Sequence, residues 1–290
     1  MIKHKNGAGD SIFNIINYGF MLIIAFVTLY PFYYILVGSM SSIKNLVSGE
    51  FLLWPKGFNL EAYSVVFKNQ MIPGAYKNTI FITITGTIIS MFLTVLGAYV
   101  LSKKYLPGRN YLTLFIIITM LFNGGLIPTY LTVKALGFGN TLWVLIFPNC
   151  ISAYNMIVMR NFFMTIPSSL EESANIDGAT QFKILASIIL PLALPAMATI
   201  SLFYAVAYWN SFFNAIIYLT DSKYWPIQLV LREVLTQGRA EYLMNDEELN
   251  VPMENVKMAL VIVTILPILC IYPFLQKYFV KGLLVGSLKG

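Results

Sequence analysis

A chain of 290 residues that is 58% hydrophobic and only 11% charged, with a mean hydropathy of +0.72, lies far from the soluble average of about 25% charged residues. Its formal charge of +6 comes from Lys and Arg at the ends of apolar runs, so it reports membrane topology and not nucleic-acid binding. Cys150 and Cys270 lie inside apolar runs far apart in sequence and the only histidine is His4, which leaves no basis for a disulfide framework, a metal site or histidine-based catalysis.

Several runs are long enough to cross about 30 Å of hydrocarbon, which takes about 20 apolar residues, and they predict an all-α polytopic membrane protein with six spans. After a polar start the first span covers residues 20–38. Small residues at Ser39-Met40-Ser41 admit a signal peptide, but the long apolar core with Tyr30, Pro31, Tyr33 and Tyr34 favours an uncleaved anchor. The polar loop 40–76, with Trp54-Pro55 and Gly57, reads as an ordered cap on the membrane. The second span, 79–101, is rich in Thr, Ile and Gly, and its small residues allow close helix approach.

The third span, 111–131, is broken near its end by Asn123-Gly124-Gly125 and Pro128, and the fourth, 141–160, carries Pro148, Asn149 and Asn155. The apolar tract 185–218 is too long for one straight crossing, and Pro191 and Pro195 should kink it. Residues 220–255 form a second polar loop, 258–278 the sixth span and 279–290 a basic tail. In the short loops Lys103, Lys104 and Arg109 oppose Lys134 alone, which by the positive-inside rule places both termini and residues 168–184 in the cytosol. The chain is expected to be a single membrane domain over 1–290.

Ser168 to Pro191 is a polar island between apolar runs. Ser168 and Glu171 have the spacing of a capping box after Pro167, so a short helix is predicted over 168–176 with acidic residues in its first turn. Gly178 fits a left-handed stop, and Asp177 is placed to cap a following helix. Two short helices meeting at a bend on the face of a membrane protein look like a docking surface. An interfacial helix lying on lipid is the alternative, but such helices carry Lys and Arg, whereas this one sets Glu171, Glu172 and Asp177 against Lys183 alone.

Glu172, Ser173 and Ala174, then Gly178, then Ile188, Leu190 and Pro191, resemble the EAA signature of ABC-importer permeases, with Ser173 standing where the signature has alanine. The stretches Asn123–Asn149 and Tyr204–Leu219 resemble the carbohydrate-uptake branch of that family. Within the branch the chain is similar to the second permease of the maltose system and, closer still, to the LplC/YtcP-like complex-saccharide permeases. The resemblance implies a type I importer fold in the cell membrane of a Gram-positive bacterium. It also implies a heterodimer with a second permease, two cytosolic ATPases that bind ATP and Mg, and an external solute-binding lipoprotein.

Under that resemblance Glu172 contacts an arginine of the ATPase, Gly178 allows the bend, and Leu170, Ala174 and Phe182 pack into the ATPase cleft. Glu171, Ser173 and Asp177 complete the coupling segment, and the tail residues Ser287, Leu288 and Lys289 reach the ATPase interface. Saccharides stack on aromatic rings and hydrogen-bond to amides, so Tyr204, Tyr208, Trp209, Asn210, Phe213 and Asn214 are candidates for the solute pathway, with Asn123 and Asn155 behind them. Aromatics at span ends also form interfacial belts, which is the competing reading. No Asp or Glu falls within any predicted span, which argues against a proton-coupled secondary carrier and for an external energy source. The chain itself is expected to be no enzyme and to bind no cofactor. A permease for another polar solute, such as a peptide, or a stand-alone carrier, is the alternative function.

Overall fold

Hydrocarbon offers no partner for a free N–H or C=O, so apolar runs with few breakers close their hydrogen bonds internally as helices. The computed structural model describes residues 8–42, 54–237 and 251–287, and among these no strand occurs. In chain order the helices are α1 (Ala8–Ser39), α2 (Glu61–Lys68), α3 (Met71–Ser102), α4 (Arg109–Leu121), α5 (Leu126–Ala135), α6 (Ala153–Phe163), α7 (Ser168–Ile176), α8 (Gln181–Leu192), α9 (Leu194–Trp209), α10 (Phe213–Tyr218), α11 (Ile227–Gln237) and α12 (Met253–Ser287). Two short 3₁₀ turns, Leu142–Leu145 and Phe147–Asn149, precede α6.

Among the described residues α1, α3 and the Met253–Ile271 part of α12 are long and apolar enough to cross a membrane unbroken. Three further pairs reach that length only as bent units: α4 with α5 at 110°, the 3₁₀ segment with α6 at 51°, and α8 with α9 at 85°. The predicted third, fourth and fifth spans are thus each broken. Gly125, at φ 88° and ψ 168°, occupies a region open to glycine alone and turns α4 into α5. At the third break Pro195 has no N–H to return to Pro191, and the chain bends at Ala193. A wide π turn over Leu185–Ile189 loosens α8 just before it.

The contacts gather into two compact units, Met1–Asn69 with Gly238–Thr264, and Gln70–Gln237 with Ile265–Gly290. In the first, the end of α1 meets α2 through Ser39 Oγ and the Tyr63 hydroxyl at 2.7 Å. The Asn255 amide donates to the carbonyls of Gly38 and Ser41 at 2.8 and 2.7 Å. Most of α1 exposes apolar side chains, as a helix facing lipid must.

The second unit is built on α3, which packs along α9 and α6. Gly86, Ser90 and Thr94 recur every four residues and so share one face of α3. A Cβ on Gly86 would lie 2.7 Å from the Tyr208 ring. One and two turns further along α3 the Ser90 and Thr94 hydroxyls bond the hydroxyls of Tyr208 and Tyr204 at 2.8 and 2.7 Å. At the other end of α3, Asn78 Nδ2 donates to the carbonyls of Lys223 and Trp225, and Ile227 N–H to Thr79 Oγ1. The start of the predicted loop 220–255 is therefore docked on α3 and continues as α11. Gly86→Ala is expected to lower stability by about 1–3 kcal/mol, the usual cost of overpacking. Gly74→Ala, which meets nothing within 4 Å on the same helix, is expected to leave it unchanged or slightly higher; thermal unfolding in detergent measures both.

Candidate functional site

The predicted elbow is present, but its caps differ from the expectation. Pro167, at φ −58° and ψ 130°, is the N-cap of α7, so Ser168 is already inside the helix and no side chain caps it. The capping box is not formed, because its Ser must stand at the cap itself. Glu171 instead pairs with Lys103, at the end of α3, and the pair is largely shielded from solvent. Gly178 is left-handed at φ 76°, as predicted, and its N–H returns to Asn175 O. The helix that follows is capped by Thr180, whose hydroxyl accepts from Lys183 N–H. Asp177 ends α7 and caps nothing beyond it, since three residues stand between it and the start of the next helix at Gln181.

The two faces of the elbow separate cleanly. Ala174 is buried in this chain's own core and has no surface for a partner's cleft, which corrects its expected role. Leu170, Ile176 and Phe182 are exposed at 42%, 87% and 72%, beside the exposed Glu172, Ser173 and Asp177. Ile176 carries no signal in the sequence, because it falls between the motif positions Ala174 and Gly178. Of the expected tail contacts, Leu288 and Lys289 lie outside the described residues, and Ser287 is the last residue of α12.

At the other end of α9 a cavity of about 490 Å³ opens between the 148–155 break and the 210–214 break. It brings together Tyr204, Tyr208, Asn210, Phe213, Asn214 and Asn155, and adds Asn149, Ser152, Phe203 and Ser211, which the sequence did not single out. Two candidates are not there. Trp209 points off the other side of α9, its ring 6.3 Å from that of Tyr76. Asn123 Oδ1 accepts from Gly125 N–H and so closes its own turn, outside the cavity.

The tyrosines contribute rings rather than free hydroxyls. Tyr204 OH holds Thr94 Oγ1 and accepts from Ser152 N–H at 3.1 Å, and Tyr208 OH is held by Ser90. The Asn210 amide donates to Val206 O and accepts from Gln228. Asn155 is 6% exposed and lines the cavity, with its backbone N–H taken by Ser152 Oγ. An amide on a cavity wall offers both donors and an acceptor to something in the cavity.

Residues 106–285 match the model of the family described as binding-protein-dependent transport system inner membrane component. The chain belongs to that family. It is 45% identical to the polygalacturonan/rhamnogalacturonan transport system permease protein YtcP of Bacillus subtilis, over 97% of this chain and 99% of that one. It is 43% identical to protein LplC of the same organism, over 99% and 98% of the two chains. In fold it is similar to a chain from the crystal structure of a bacterial ABC transporter involved in the import of the acidic polysaccharide alginate. There the TM-score is 0.88 at 35% identity, covering 94% of this chain and 98% of that chain. The permease is accordingly a helical, multi-pass component of a bacterial cell membrane and a non-catalytic transporter subunit.

For this permease, Tyr204→Phe keeps the ring on the cavity wall but orphans Ser152 N–H and Thr94 Oγ1. Stability is expected to fall by about 1–3 kcal/mol, while Tyr154→Phe, at an exposed tyrosine, changes nothing. Thermal unfolding of the purified variants tests the difference.

Proposed function

We propose that the permease forms half of the membrane pathway of an ATP-driven importer for oligosaccharides derived from acidic polysaccharides. In this reading it pairs with a second permease, receives solute from an external binding lipoprotein, and is driven by two cytosolic ATPase subunits that hold the ATP and Mg. The six spans form a single membrane domain with both termini and the elbow cytosolic. The Lys103–Glu171 pair supports that arrangement, since it joins the basic loop after α3 to the elbow at one end of the helices.

The observation that carries the proposal is the elbow's outward face. Leu170, Ile176 and Phe182 are large, apolar and exposed, on a segment of low overall hydrophobicity flanked by Glu172 and Asp177. Exposed apolar groups rimmed by charge mark a protein interface. Glu172 is then the charged contact with an ATPase arginine, and Leu170, Ile176 and Phe182 fill the cleft. ATP shifts the transporter between inward- and outward-open states because it binds one of them better.

The substrate class rests on the relatives that transport polygalacturonan/rhamnogalacturonan and import the acidic polysaccharide alginate, and on the cavity's chemistry. Tyr204, Tyr208 and Phe213 line the cavity together with Asn149, Asn155 and Asn214, the aromatic and amide groups that sugar rings and hydroxyls pair with.

With the second permease, ATPases and binding protein reconstituted in liposomes, uptake is expected only with ATP; uptake driven by an ion gradient alone would overturn the proposal. Glu172→Lys is expected to leave the permease in the membrane and abolish uptake, which a transport assay beside a membrane blot reads. Asn155→Leu removes one hydrogen-bonding side chain at similar volume. The solute concentration for half-maximal uptake is expected to rise about 2- to 10-fold, the worth of one hydrogen bond.

A further inference from the structure

Charged and polar side chains tie the elbow to the end of α3. Lys103, the residue that ends α3, is 8% exposed; its ammonium pairs with Glu171 of α7 and lies 3.7 Å from the centre of the Tyr99 ring. One turn earlier on α3, the Tyr99 hydroxyl donates to Gln181 Oε1 at 3.1 Å, and Gln181 Nε2 donates to Asn175 Oδ1 at 2.9 Å. Both helices of the elbow, α7 through Glu171 and Asn175 and α8 through Gln181, are therefore held by the last turn of α3.

The same helix holds the cavity wall. From Lys103 to Ser90 is 13 residues, or about 20 Å at 1.5 Å per residue. Over that length α3 bonds Tyr204 through Thr94 and Tyr208 through Ser90, the two tyrosines whose rings line the cavity. It is unbroken from Met71 to Ser102. The direct route along the chain is not: between elbow and cavity stand the π turn at Leu185–Ile189 and the 85° bend at Ala193. A continuous helix carries an axial or tilting displacement, whereas a bend with a loosened turn absorbs it.

We propose that Lys103 is a positioning residue that clamps the elbow to α3, and that α3 carries the elbow's movement to the solute cavity. This rests on the elbow's coupling role under the proposed function and assigns Glu171 and Glu172 to opposite tasks. Glu172 faces the partner, and Glu171 holds the elbow to its own membrane helix.

The test uses the reconstituted transporter with Lys103→Glu, Glu171→Lys and the double exchange, reading both uptake and ATP hydrolysis. Each single variant is expected to copurify with the ATPase and to hydrolyse ATP, while solute imported per ATP falls at least tenfold. The double exchange is expected to return to within about threefold of wild type, the remainder lost with the cation on the Tyr99 ring. Glu171→Gln, which keeps size and hydrogen bonding and guards against a misfolded reversal, should lose a smaller factor in the same ratio.

Singles that keep the wild-type ratio, or a double exchange no better than the singles combined, would overturn the clamp while leaving ATP-driven import standing. Wild-type uptake without ATP would overturn both. A lesion that is merely structural would lower the amount of assembled complex and leave the ratio in the surviving fraction unchanged, and that result too would overturn the clamp.

Discussion

The close approach of α3 and α9 decides where every group in the solute cavity can sit. Within lipid no hydrophobic force draws two helices together, so contact depends on small residues and on hydrogen bonds between side chains. Gly86 supplies the first, leaving the Tyr208 ring a place where a methyl group would collide. Ser90 and Thr94 supply the second. A Ser or Thr inside a helix commonly bonds its own backbone four residues back, as Thr79 does to Ala75. Ser90 and Thr94 reach instead to the tyrosines of α9, which fixes two aromatic rings at the cavity edge with their hydroxyls already engaged. What remains free to meet a solute is the exposed Phe213 ring and the amides that line the cavity.

Broken helices are affordable at membrane depth only if each break satisfies its own backbone or is buried in protein. The permease does this locally. Asn123 takes the N–H of Gly125, Ser152 takes the N–H of Asn155, and Ala193 N–H returns to the carbonyls of Ile189 and Leu190. Two of the breaks, near 150 and near 211, flank the cavity, where irregular backbone faces open space rather than lipid. The side chains that close a break are thereby withdrawn from the solute, which is why Asn123 lies outside the pathway despite its composition.

Fold class, six apolar runs and the elbow were legible because each rests on local signals: run length, proline and glycine placement, and the spacing from Glu172 to Pro191. Gly178 could be read as left-handed from its position after a short helix. The errors share a cause. Ser168 and Glu171 have capping-box spacing, but the partner that captures Glu171 is Lys103, 68 residues away, and no local pattern reveals it. Tyr204 and Tyr208 look like sugar-binding groups until Thr94 and Ser90 are seen to hold their hydroxyls. Trp209 is one residue from Tyr208, yet on a helix adjacent positions face about 100° apart, so proximity in sequence says little about a shared wall. Asn155 carries no local signal of its place on the cavity wall, which only the packing of the break against α9 reveals.

The cavity's chemistry bears on how solute leaves as well as on how it enters. Its lining contains no Lys, Arg, Asp or Glu among the described residues. A cation on this partly buried wall would attract an anionic solute strongly, because Coulomb energy rises as the local dielectric falls. Strong attraction would deepen a well from which each ATP-driven swing must then lift the solute. A pathway works when binding suffices for entry but not for capture. Neutral amides and ring faces meet that condition, since they offer hydrogen bonds of modest net worth that water can replace on release. Charge selection is better done outside the membrane, and a neutral cavity lets the permease move what has already been selected.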